Sequence, residues 1–165
     1  MDDVEIMIHT YNLFAVNVFQ SKIIVPINTY KKILNFVEEK YEEKDTISCV
    51  NGFQYHENFN GKKELDKIIN KHIFNIYNLK IIHGWLNVLK NQSYNKPHVH
   101  LADYIKMAGV LYLSNENNNI NFARDNNIFE IKPKLFDCLI FPNNLLHYVL
   151  PEQRAEKRIC YAFNL

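Results

Sequence analysis

Residues Ile81–Leu113 read IIHGWLNVLKNQSYNKPHVHLADYIKMAGVLYL, and this stretch decides the fold class. Runs of β-branched, aromatic and other apolar residues at 81–89 and 108–113 are separated by polar, turn-forming residues, the pattern of short strands. Further along, the same pattern predicts strands near 98–101, 120–122, 128–131, 138–141, 146–150 and 158–164, eight in about 85 residues. Strands so short and closely spaced leave no room for crossover helices. An antiparallel barrel or jelly roll therefore closes better than a parallel sheet.

Upstream of Lys80 the periodicity changes. Ile33, Leu34, Val37 and Tyr41 form a helical stripe after Pro26-Ile27-Asn28, with Asn28 the expected N-cap. A second stripe, Leu65, Ile68, Ile69, Ile73 and Ile76, runs through 62–78 with Gly61 before it. Both predict amphipathic helices whose apolar faces need a sheet to cover. Tyr11 to Phe19 reads as one strand, and 48–61 as irregular. The expectation is a mainly β chain with N-terminal helices, a β-barrel flanked by two helices. It forms a single domain over 1–165, with support at 1–80 and the barrel core at 81–165.

Composition narrows the function classes. The 165 residues carry 19 Lys+Arg against 18 Asp+Glu, a formal net charge of +1, so no broad field draws the molecule onto nucleic acid or an anionic membrane. No apolar run approaches the roughly 20 residues that span a bilayer. The start, Met1-Asp2-Asp3-Val4-Glu5, is acidic where a targeting peptide would be basic, and a cytoplasmic location is expected. Cys49, Cys138 and Cys160 form no C-x-x-C pair and read as buried thiols. With 4 glycines and 5 prolines in the chain, Asn must supply many turns. The loops Asn115 to Asn121 and Arg124 to Asn127 are expected to be exposed.

Two of the seven histidines stand at i and i+2 in Pro97-His98-Val99-His100, which on a strand aims both imidazoles at one face. Neutral imidazole is the commonest transition-metal ligand, and His147 is the natural third from a distant strand. The motif alone is a weak signal, since H-x-H also arises at ordinary strand edges. Arg158 falls eleven residues after His147. A hairpin would return it beside the His147 strand, where its guanidinium could hold a carboxylate bidentately. By spacing alone a surface arginine is the stronger reading. His9, His56, His72 and His83 have no partner at ligand spacing and read as structural or exposed. Trp85 reads as packing, and Phe53, Tyr55 and Phe59 as either a lid over the barrel mouth or a satellite apolar cluster.

Taken in order, Trp85-Leu86-Asn87, His98-Val99-His100, Ala108 to Leu113, Phe141-Pro142 to His147 and Arg158 to Asn164 resemble a family of 2-oxoglutarate- and Fe(II)-dependent oxygenases of bacterial and phage type. The resemblance covers about half the chain, from roughly Ile81 to Leu165. It implies a double-stranded β-helix, a cupin-like jelly roll, with Fe(II), 2-oxoglutarate and O2 as cofactor and cosubstrates. His98, His100 and His147 would be the metal ligands, and Arg158 the anchor for the far carboxylate of 2-oxoglutarate. Asn87, Tyr112 and Asn164 are further candidates for the cosubstrate pocket. The commoner pattern has Asp or Glu where His100 stands, and Asp103 is the fallback ligand.

The activity so implied is hydroxylation of a substrate coupled to oxidative decarboxylation of 2-oxoglutarate to succinate and CO2. The alternatives are a cupin-like three-histidine protein binding Zn, Mn or Fe without 2-oxoglutarate, and a non-catalytic binding barrel. A small molecule or a peptide or protein side chain is the expected substrate, nucleic acid is disfavoured, and the loops 51–60 and 115–127 are the expected determinants. The sequence is silent on oligomeric state.

Overall fold

Four strands with apolar residues on both faces set the architecture. The computed structural model describes residues 8–13, 16–115, 118–153 and 155–165. In chain order its elements are β1 (Ile8–Leu13), β2 (Val16–Lys22), α1 (Ile27–Lys40), β3 (Cys49–Val50), β4 (Phe53–Tyr55), α2 (Lys62–Tyr77), β5 (His83–Leu89), β6 (Tyr94–His98), β7 (Met107–Tyr112), β8 (Ile120–Arg124), β9 (Asn127–Ile131), β10 (Asp137–Pro142), β11 (Leu146–Val149) and β12 (Arg158–Asn164). A seven-stranded sheet runs β1-β2-β10-β7-β12-β5-β4, and a five-stranded sheet runs β3-β6-β11-β8-β9. All pairings are antiparallel.

The eight strands from β5 onward make the jelly roll, with β5, β7, β10 and β12 in one sheet and β6, β8, β9 and β11 in the other. The expected barrel is thus two sheets joined by their cores. No hydrogen-bonded closure links them among the described residues.

Side-chain alternation gives each strand of the larger sheet two tasks. Trp85, Ala108, Val110, Tyr112, Leu139, Phe141, Cys160 and Ala162 turn inward and pack with Ile120, Phe122 and Ile131 of the smaller sheet. Leu86, Val88, Leu111, Cys138, Ile140, Ile159, Tyr161 and Phe163 turn the other way, onto Ile33 and Val37 of α1 and Leu65, Ile69 and Ile73 of α2. Where β12 presents its rings to this second layer there is no space for neighbours to carry a Cβ. One on Gly84 would collide with Tyr161, and one on Gly109 with Phe163. Asn takes left-handed backbone at Asn51, Asn78 and Asn126, as the scarcity of glycine requires.

Several boundaries differ from the sequence expectation. Tyr11 to Phe19 is two strands, paired from Ile8↔Ser21 to Leu13↔Val16. No Gly or Pro marks the break, and residues 14–15 lie outside the described chain. The second jelly-roll strand is β6 at 94–98, not 98–101. It is polar because Asn95 faces inward while Lys96 and Pro97 are exposed, so it lacks an apolar signature. Helix α1 starts after Pro26, whose fixed φ suits the entry, and Asn28 lies inside the first turn without capping it. Arg124 to Asn127 are exposed as expected, and Asp125 and Asn126, both at positive φ, make the connection a two-residue hairpin turn between β8 and β9. Phe53, Tyr55 and Phe59 pack with Phe36 against the helical layer, so they are core and not a lid.

The helical layer is expected to contribute to stability through α2. Replacing fully buried Ile69 by Ala should cost about 2–5 kcal/mol in urea unfolding, while exposed Lys67→Ala should stay within about 0.5 kcal/mol.

Candidate metal centre

The pairing of β6 with β11 places His98 directly opposite His147. Cross-strand partners project from the same face of the sheet, and the two ring centroids lie 4.3 Å apart. His100 arrives differently. Strand β6 ends at His98, so the expected strand geometry of H-x-H does not apply, and a loop carries His100 onward. That loop is tied down where the His100 N–H donates to Asn143 O at 2.8 Å and Asn143 Nδ2 donates to Ile105 O at 2.6 Å. The His100 ring then stacks on His147 with centroids 5.1 Å apart and planes 11° apart.

One nitrogen from each of His98, His100 and His147 falls within 4.8 Å of the other two. Nε2 of His100 and Nε2 of His147 are 3.3 Å apart. Two nitrogens at adjacent positions on one ion, with bonds of about 2.1 Å as imidazole makes to zinc, would stand roughly 3 Å apart. A carbonyl can only accept, so its partner nitrogen must carry the proton. His98 Nδ1 donates to Lys96 O at 2.7 Å and His147 Nδ1 to Leu145 O at 2.9 Å. Each ring is thereby fixed in the tautomer whose Nε2 is the bare acceptor.

Burial is the main cause of depressed basicity in all three. It lowers His98, lowers His147 well below the usual histidine range, and lowers His100 to about 4, with neighbouring imidazoles adding to the effect on His100 and His147. Three neutral donors at physiological pH suit a transition-metal ion. Asp103 stays exposed in the turn beyond His100, outside the cluster.

The histidines line one end of a narrow cavity of about 40 Å³ between the sheets, shared with Trp85, Asn87, Asn95 and Arg158. Arg158 enters from the opposite wall. Strand β12 pairs with β5 and β7 in the larger sheet, whereas β11 lies in the smaller one, so the expected hairpin between the Arg158 and His147 strands does not form. The strands face each other across the cavity. Arg158 is 1% exposed, which excludes a surface role. Its guanidinium lies 5.1 Å from the Tyr112 ring centroid and donates through Nη1 to Cys160 Sγ at 3.4 Å.

No carboxylate forms an ion pair with Arg158 among the described residues. Arg158 Nε and the Tyr112 hydroxyl are both buried without a hydrogen-bond partner. Burial raises Tyr112 and Cys160 and keeps both neutral, so neither compensates the guanidinium charge.

The remaining candidates are placed as follows. The Asn87 carboxamide is already engaged, donating to Asn95 Oδ1 at 2.9 Å and accepting from Asn95 Nδ2 at 3.4 Å. Asn164, the last residue of β12, is not among the residues lining the cavity, and its Oδ1 is buried without a hydrogen-bond partner. Gln54, Asn95 and Asn143 were not legible as site residues. Gln54 lines the cavity because its β4 neighbours Phe53 and Tyr55 face the helices, an alternation three residues are too short to reveal. His56 and His83, read as structural or exposed, are both exposed and meet at Nδ1···Nε2 3.1 Å. His72 pairs with Ser21 at 2.8 Å. The His9 side chain lies outside what the structure describes. All three cysteines are free and buried.

Comparison with known proteins agrees with this geometry. Residues 115–164 match the family model described as "Putative 2OG-Fe(II) oxygenase", a span that holds His147 and Arg158 but not His98 or His100. No curated protein matches in sequence. Among solved structures, a prolyl-4-hydroxylase from Pseudomonas putida superposes with TM-score 0.66 at 12% identity, covering 93% of this chain and 94% of that one. A prolyl hydroxylase from Trichoplax adhaerens, in complex with a hypoxia inducible factor peptide fragment, gives TM-score 0.66 at 12% identity over 90% and 83%. HygX from Streptomyces hygroscopicus, with nickel, 2-oxoglutarate and hygromycin B bound, gives 0.64 at 10% over 89% and 81%. The fold is one that these solved oxygenases share, and residues 115–164 are similar to the model of that family.

Neutral burial of histidine has a pH signature. The native rings resist protonation, whereas the unfolded rings take a proton near pH 6.5, so the unfolded state binds more protons below that value and stability falls with pH. The melting temperature of metal-free protein should therefore be steady above about pH 6.5 and decline as pH drops from there toward the His100 value of about 4. Thermal melts across that window check it, and a flat profile would contradict neutral burial.

Proposed function

We propose that the chain is a single-domain Fe(II)- and 2-oxoglutarate-dependent dioxygenase that hydroxylates its substrate. One observation carries the reading. A buried arginine without an acidic partner occupies the same cavity as three convergent neutral imidazoles. An uncompensated buried cation is costly, and a dicarboxylate reaching from the histidines to Arg158 would offset that cost. A cupin-like metalloprotein that does not use 2-oxoglutarate would leave the guanidinium without a counter-charge.

In this reading His98, His100 and His147 would hold Fe(II) through their inward nitrogens. The bound ion supplies the redox chemistry that couples decarboxylation of 2-oxoglutarate to insertion of one oxygen atom from O2 into a C–H bond, releasing succinate and CO2. The protein's own part is to bind, orient and exclude water. Arg158 and the Tyr112 hydroxyl would receive the far carboxylate, and Arg158 Nε and that hydroxyl have no other hydrogen-bond partner. Small Cys160 and Ala162, inward on the same strand, leave room beside it. Asn87, held by Asn95, gives that wall a fixed polar surface. With His100 in place of a carboxylate, the ligand set is neutral, and the near carboxylate of the cosubstrate would be the one negative charge beside the ion.

The narrow cavity favours a substrate that inserts one projecting group, from a small molecule or from a peptide or protein side chain. No helix among the described residues is long and apolar enough to cross a membrane. Three free thiols support a reducing, cytoplasmic setting.

Anaerobic titration with Fe(II) and 2-oxoglutarate tests the assignment through the weak metal-to-ligand charge-transfer absorption of the complex. His147→Ala should abolish the band. Arg158→Ala should weaken cosubstrate binding by roughly 30-fold or more, as loss of one partner from a buried charge pair costs about 2–5 kcal/mol. A band indifferent to both substitutions would overturn the reading.

A further inference from the structure

Two histidines outside the candidate metal set meet at the surface. In the β4–β5 ladder Gln54 pairs with Asn87, and both line the cavity together with Trp85. Alternation puts His83 on that same face at the outer end of β5, and His56, two residues beyond Gln54, arrives beside it. Both rings stack on the Trp85 indole, at centroid distances of 5.4 and 5.5 Å, with their own planes 6° apart. The cavity wall thus continues past Trp85 to solvent as a pair of exposed imidazoles.

Within the pair, His56 Nδ1 and His83 Nε2 are 3.1 Å apart. Neutral imidazoles carry one N–H each, and one of the two lies between these rings. When the donor ring shifts that proton to its other nitrogen, both facing nitrogens become bare and no net proton leaves the pair. Two nitrogens bound to one zinc ion at about 2.1 Å stand roughly 3.0 Å apart at a right angle and roughly 3.4 Å apart in a tetrahedron. The observed spacing falls between those limits. Rotation of each ring in its own plane aims both lone pairs at a common point and keeps the rings flat on the indole. Burial and the neighbouring His83 lower the basicity of His56, which favours the neutral form that ligation requires. Among the described residues no third histidine, cysteine or carboxylate completes a cluster with the pair.

We propose that His56 and His83 form a second metal site, for Zn(II), at the outer end of the cavity wall, with His56 Nδ1 and His83 Nε2 as its protein ligands. Two protein ligands leave the other positions of the ion to water or to an oxygen of an incoming molecule. The site shares no ligand with His98, His100 and His147, and it stands or falls separately from the oxygenase reading.

Calorimetric titration of the metal-free full chain with Zn(II), above the pH range in which histidine ordinarily titrates, counts the sites. The wild-type chain should take two equivalents, the second more weakly because it has two protein ligands in place of three. His56→Ala and His83→Ala, both at exposed positions, should each reduce the count to one. His72→Ala should leave it at two, and His147→Ala should spare the weaker site. A second equivalent that persists in both His56→Ala and His83→Ala is adventitious and overturns the proposal. So does a wild-type count of one that only His147→Ala removes, which leaves the metal set standing. A single equivalent lost in His83→Ala but kept in His147→Ala supports this site and overturns the metal set instead.

Discussion

Three imidazoles can share a small, mostly buried volume only while all of them are neutral. Everything at this site follows from that constraint. Charged rings so close would repel one another and lose their hydration together, so burial and fixed tautomers have to act in concert. The fold supplies both. Pairing of β6 with β11 sets His98 against His147, local carbonyls take the outward protons of those two rings, and the second sheet removes water from the space between.

The opposite end of the cavity has the reverse problem, a positive charge that cannot leave. Arg158 is locked by the strand that bears it, and that strand is locked from its other face. Ile159, Tyr161 and Phe163 alternate with Arg158, Cys160 and Ala162, and they are gripped by the helices. Tyr161 is also bonded to Lys62 and Asp66 of α2. The helical layer thus holds the strand that carries Arg158 from the face turned away from the cavity.

Much of this was legible in the sequence because strand alternation writes inward and outward residues in plain order. The parity of Arg158, Cys160, Ala162 and Asn164 and the jelly roll follow from strands long enough to show it, whereas the meeting of His98 with His147 was legible through the H-x-H motif and the family resemblance. What escaped notice depends on chain reversals and on very short strands. Residues Tyr94–His98 are too polar to resemble a strand because one face lines a polar cavity and the other faces water. The reversal between β1 and β2 carries no turn residue at all. Gln54, Asn95 and Asn143 are single amides whose roles exist only once distant segments are adjacent. The meeting of His56 with His83 likewise has no trace in their spacing.

Trp85 is the chain's single tryptophan, and it sits in ring contact with His100. Red-edge ultraviolet excitation, which bypasses the ten tyrosines, therefore addresses one chromophore at one address. The indole emission is an optical signal originating wholly at the mouth of the cavity, with no background from elsewhere in the fold. The molecule carries its own site-specific fluorophore, and no label need be attached to follow what enters.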